Sequence, residues 1–160
     1  MGVLPILTWP DPRLCAVCAP VVSDMGALAA DMLETMYAAP GRGLAASQVG
    51  VLLRLFVMDA TWKEGSPAPQ VFLNPRIIWR SVTLVVGPEG CLSLPGLSTP
   101  VARSDRLRLI WTDLDGAELD QIFDGFAAIC IQHECDHLDG ILMIDHLTAD
   151  ERANAERALQ

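Results

Sequence analysis

A chain of 160 residues, 51% of them hydrophobic, is long enough to bury one core and too short for two comfortable ones, so residues 1–160 read as a single catalytic-sized domain. The net charge of −9, with Lys63 the single lysine and the arginines spread along the chain, leaves no basic patch and disfavours binding to a nucleic-acid backbone. No apolar run approaches the roughly 20 residues of a membrane helix, Met1-Gly2-Val3-Leu4-Pro5 lacks the flank of a signal peptide, and five cysteines are an odd number, so reduced thiols in the cytoplasm are expected.

In chain order, Trp9-Pro10-Asp11-Pro12-Arg13 is rich in turns because each proline removes a donor and restrains its predecessor. Ser23 is placed to cap a helix from Asp24 to Ala39, with Met25, Leu28, Met32 and Met36 on its core face; Pro40 and Gly41 stop it. The stretch Gly41-Arg42-Gly43-Leu44-Ala45-Ala46-Ser47-Gln48 reads either as a tight loop or as backbone lying against a ligand with Gln48 aimed into a site; the glycines fit both. Strands are expected over 52–58, 71–79, 82–86, 107–111 and 119–123, with Asp115-Gly116 as a hairpin turn. A helix from about Asp124 to Gly140 follows, and Thr148 with Glu151 makes a capping box for a short polar helix from about residue 148. The order predicts α+β architecture: antiparallel sheets around a central metal-binding helix.

That central helix carries Gln132-His133-Glu134-Cys135-Asp136-His137. His133 and His137 fall one turn apart, about 6 Å along the axis, and can converge on one divalent metal with Glu134 beside its water. The third ligand decides the class of hydrolase. A third histidine in the H-E-x-x-H-x-x-G-x-x-H pattern would fall at position 143, which is Met143, a poor ligand. A downstream glutamate is limited to Glu156 on the polar terminal helix. Cys130 lies seven residues before His137, about 10.5 Å along a straight helix, too far to share their metal, and reads as a pocket wall. Cys135 faces elsewhere, and Cys15-Ala-Val-Cys18 has no second pair. Cys91, in a loop between a glycine and a later proline, remains as the third ligand.

Three stretches, Gly41 to Gln48, Glu89-Gly90-Cys91-Leu92-Ser93, and Gln132 to His137, together resemble the motifs of the peptide deformylases, and the resemblance runs from Pro10 to about Leu147. It implies removal of the formyl group from the N-terminal formyl-methionine of new polypeptides. It implies metal binding by Cys91, His133 and His137, with Glu134 as general base and then acid, and Gln48 with the Leu92 amide stabilising the oxyanion. Fe2+ is the ion implied, with Zn2+, Ni2+ or Co2+ as substitutes. Phe126, Ile129 and Cys130, with Gly43 and Leu44 opposite, are expected to line the methionine slot; core packing competes for Phe126 and Ile129. Glu89 and Arg103 are candidates for an ion pair bracing the Cys91 loop, and Asp136 for a supporting group. Ser98 stands where some relatives carry an arginine near the substrate. The ribosome is a candidate partner in the family, but the slightly acidic tail after Thr148 argues against docking through it. A catalytically weak metal- or peptide-binding relative and a zinc endopeptidase are the rival functions.

Overall fold

The computed structural model describes residues 2–160; Met1, the first residue of the opening stretch, lies outside them. Among the described residues, seven strands form two antiparallel sheets, and three α-helices pack on and between them. The five-stranded sheet runs β1 (Gly43–Ala45), β2 (Leu55–Met58), β3 (Gln70–Arg80), β6 (Arg106–Thr112), β7 (Glu118–Asp124). The second sheet is the long hairpin of β4 (Leu84–Cys91) and β5 (Leu94–Ser104). The fold is therefore α+β.

Helix α2 (Gly125–Leu138) leaves β7 directly and packs against β1, β2, β5 and β6, so the antiparallel sheets surround it. Its apolar side enters a core with Phe56, Phe72, Leu107, Leu109, Trp111 and Phe123, where Phe56 and Phe72 stack with centroids 4.5 Å apart. Burying such side chains is worth about 1.5–3 kcal/mol each, so the helix is held by its sheet rather than by propensity. The C-terminus of α2 is fixed by Arg54, whose Nη1 donates to the Leu138 carbonyl at 2.9 Å. Gly140 follows at φ 74°, and a Cβ there would stand 2.5 Å from the Cys15 carbonyl oxygen, so both conformation and space require glycine.

Helix α1 (Gly26–Ala38) buries Met32 and Met36 on the opposite flank with Leu44, Leu55 and Val57. It starts later than the sequence pattern predicts, and Ser23 does not cap it. The Asp24 carboxylate instead accepts from the Gly26 N–H at 2.8 Å and closes the turn before the helix. Helix α3 (Ala149–Leu159) has the expected capping box of Thr148 and Glu151, and it buries Ala155 against β5. Among the described residues, no helix is long and apolar enough to cross a membrane.

The largest departure from the sequence reading is β5. Positions 94–104, with three glycine or proline residues, pair with β4 from Leu84↔Ser104 to Cys91↔Leu94, and the register shifts between Gly90 and Cys91. Cys91 is thus not in an open loop. It ends a strand at the tip of a hairpin, where the bulge turns it toward α2.

Candidate metal centre

Three elements meet at one point: the 3-10 turn after β1, the tip of the β4–β5 hairpin, and the middle of α2. They bring Cys91 Sγ, His133 and His137 together, with one donor atom of each within 4.8 Å of the others. The two Nε2 atoms stand 3.2 Å apart and Cys91 Sγ is 3.4 Å from His137 Nε2. A tetrahedral ion with bonds of about 2.0–2.3 Å sets its ligands roughly 3.3–3.8 Å apart, so the donor set fits a single metal. Cys130 is elsewhere on α2. It is not among the converging donors, and burial, then the Glu134 carboxylate, push its thiol well above the usual range.

The two imidazoles are driven in opposite directions: burial would lower His133, but its contacts with Cys91 and Glu89 outweigh it and hold the ring well above the ordinary histidine value. His133 Nδ1 meets Glu89 Oε1 at 3.0 Å, which turns Nε2 into the site. Burial, and then the charge of His133 beside it, push His137 well below the ordinary histidine value. Behind His133 lies a chain of charge: Arg103 grips Glu89 through Nε and Nη2 at 2.8 and 2.9 Å, and its Nη1 reaches Asp136 at 2.6 Å. His146, on the turn after α2, touches the same Asp136 oxygen at 2.8 Å and was not singled out in the sequence. Burial would raise the Glu89 carboxyl, but the hydrogen bonds from Arg103 and His133 outweigh it and hold it at about 2.

Glu134 is 4% exposed, and its Oε1 has no hydrogen-bond partner among the described residues. Burial raises its carboxyl to about 7, against the opposing pull of His133 and Arg103. Gly43 explains how the first stretch reaches it: a Cβ there would lie 2.5 Å from Glu134 Oε2 and 2.9 Å from Cys130 Sγ. The glycine is a close-approach residue. Gln48 is locked at both ends of its amide, Oε1 accepting from the Ala45 N–H at 2.9 Å and Nε2 donating to Ser93 Oγ at 3.0 Å. Nε2 also faces Cys91 Sγ at 3.6 Å. Ser93, two residues after Cys91, carries no functional signal of its own in the sequence; its hydroxyl aims the amide.

A cavity of about 720 Å³ opens over these groups and is lined by Gly43, Gln48, Cys91, Leu92, His133 and Glu134. Phe126, Ile129 and Cys130, spaced along one face of α2, also line it. Leu44 does not. It is fully buried in the α1 core, because the strand alternation that turns Gly43 toward α2 turns its neighbour away. Two cations missed in the sequence, Arg42 and Lys63, also line the cavity. Their distance apart in sequence hides the pairing.

Fold and donor set together define a class: an α+β hydrolase built on an H-E-x-x-H helix, with a cysteine from a hairpin completing the donor group. Comparison with known proteins places the chain within that class. The family model described as polypeptide deformylase matches residues 3–153. The chain is 47% identical over 163 residues to the peptide deformylase of Alkalilimnicola ehrlichii, covering 100% of this chain and 90% of the relative. It is 48% identical over 155 residues to that of Afipia carboxidovorans, covering 95% and 91%. The peptide deformylase of Ehrlichia chaffeensis in complex with actinonin superposes with a TM-score of 0.92 at 37% identity, covering 99% of this chain and 96% of that one. The chain belongs to the polypeptide deformylase family and is a metal-dependent hydrolase of peptides bearing a formyl group.

Proposed function

We propose that the protein removes the formyl group from N-formyl-methionyl nascent peptides, with Cys91, His133 and His137 holding one ferrous ion. Zinc, nickel and cobalt suit the same thiolate and imidazole donors. The observation that carries the reading is the convergence of those three donors beside Glu134 and Gln48, under a cavity, in a chain of this family. When bound by these residues, the ion would supply Lewis acidity toward the formyl oxygen and would lower the pKa of a water.

The chain's own groups do the rest. Glu134, with a carboxyl near neutrality, takes a proton from the attacking water and returns it to the amine nitrogen as formate leaves. The Gln48 amide, fixed by Ala45 and Ser93, and the N–H of Leu92 donate to the oxygen on which charge develops. Phe126, Ile129 and Cys130 present an apolar wall to the methionine side chain, and Gly43, whose lack of a Cβ leaves room for Glu134, lines the same cavity. A zinc endopeptidase finds no specific support, since the comparisons return deformylases.

The test is formate release from a formyl-Met peptide by the iron- or nickel-loaded protein and by Glu134→Gln. The expected result is turnover by the first and a loss of about 10²–10⁴-fold in the second with metal retained. Because burial penalises the Glu134 charge above its ordinary 4.5, the metal-free Glu134→Gln variant should also melt higher than the parent at pH above about 7. Release of formate undiminished in Glu134→Gln would sink the assignment of the base.

A further inference from the structure

The mouth of the cavity has a charge of its own. Besides the thiols of Cys91 and Cys130, its ionisable lining comprises Arg42, Lys63, Glu89, Arg103, His133 and Glu134. Four of these are committed: Glu89 and Arg103 to each other, His133 and Glu134 to the centre. The remaining two are both cations. Lys63, the single lysine of a chain with net charge −9, forms no ion pair among the described residues and rests with Nζ 5.7 Å from the Trp62 ring centroid.

Arg42 is held over Phe126, its guanidinium carbon 4.9 Å from the ring centroid, so the two side chains make one wall of the mouth. Its Nε is buried without a hydrogen-bond partner. Its Nη2 meets Glu64 Oε1 at 3.1 Å, with the glutamate side chain 60% exposed and outside the cavity lining. Such a pair is weak and can be exchanged for another carboxylate. Both cations are also fixed to the stretch that approaches the centre. Arg42 precedes Gly43, and Trp62, next to Lys63, donates its Nε1–H to the Gly41 carbonyl at 2.9 Å. The short 3-10 turn Trp62–Glu64 is thereby tied to the rim.

We propose that Arg42 and Lys63 form an anion-selective rim that recognises an acidic side chain in the first residues after the formylated one. The inference rests on the deformylase reading and adds the substrate class to it. A peptide whose formyl end lies at Cys91, His133 and His137 must leave through this mouth. In an otherwise acidic protein, two cations lining the same cleft at its low-dielectric edge focus the field on an anionic chain and repel a basic one.

The experiment compares kcat/KM for formyl-Met-Ala-Glu, formyl-Met-Ala-Gln and formyl-Met-Ala-Lys at low and high salt. The expected preference for glutamate over lysine is roughly 10-fold at low salt and shrinks at high salt. Arg42→Gln and Lys63→Gln should each lower that ratio, the double variant should bring it near unity, and Arg42→Glu with Lys63→Glu should invert it. The ratio is the readout, whatever happens to the rate on the glutamine peptide. A ratio within twofold of unity in the parent, or one unchanged in the double variant, overturns the proposal. If no formyl peptide is turned over, the deformylase reading fails separately, and Kd values for the same three peptides decide the rim by the same ratios.

Discussion

Arg103 and Arg108 grip carboxylates in the same way and to different effect. Arg103 holds Glu89 through two nitrogens at 2.8 and 2.9 Å; Arg108 holds Asp120 through two at 2.8 and 2.6 Å. The first pair is buried, with side chains 4% and 8% exposed, while the second lies across β6 and β7 at 48% and 43%. Hydrogen-bond geometry does not distinguish them; solvent does. Buried, the pair is tied into Asp136 and His146 on one side and His133 on the other, so its charge reaches the centre. Exposed, the pair is screened and stands alone.

Breaking the buried pair should have the largest effect. Arg103→Met leaves Glu89 and Asp136 without their cation, a loss of about 3–5 kcal/mol, seen as a fall in melting temperature on the order of 10 °C. It should also loosen His133 and so weaken metal retention. Acid comes next. The Glu89 carboxyl is held at about 2, below its ordinary 4.5, so its contribution is complete above pH 4.5 and disappears as pH falls toward 2. That amounts to about 3 kcal/mol, and an acid-unfolding series on the parent and on Arg103→Met should show the dependence in the first and its reduction in the second. The smallest effect is at the surface: Arg108→Met should leave the melting curve and the metal content unchanged. A melting shift in Arg108→Met equal to that of Arg103→Met would remove burial as the explanation.

The same contrast between local and buried information governs what the sequence discloses. The spacing of His133, Glu134 and His137 announces the helix and its chemistry because helical geometry is local. Excluding Met143 and Cys130 leaves Cys91, and the structure brings its sulfur to the histidines. The place of Cys91 in the chain is less legible. Pro95, Gly96 and Pro100 weaken every local strand signal in β5, which forms because β4 supplies its partners. Leu44 is misplaced for a similar reason, since one residue of strand register separates the cavity from the core. Arg42 and Lys63 read as scattered charges until Trp62 and Gly41 tie their segments together. His146 could have been suspected only from its place after a helix carrying Asp136.

The central claim is that Cys91, His133 and His137 hold one divalent metal, and anaerobic metal analysis with competition by a chelator tests it most directly. The expected result is one equivalent per chain in the parent and in Glu134→Gln, and for Cys91→Ala an affinity loss beyond the roughly 10–100-fold that groups behind a ligand cause. Full stoichiometry in Cys91→Ala at the parent's affinity would contradict the claim.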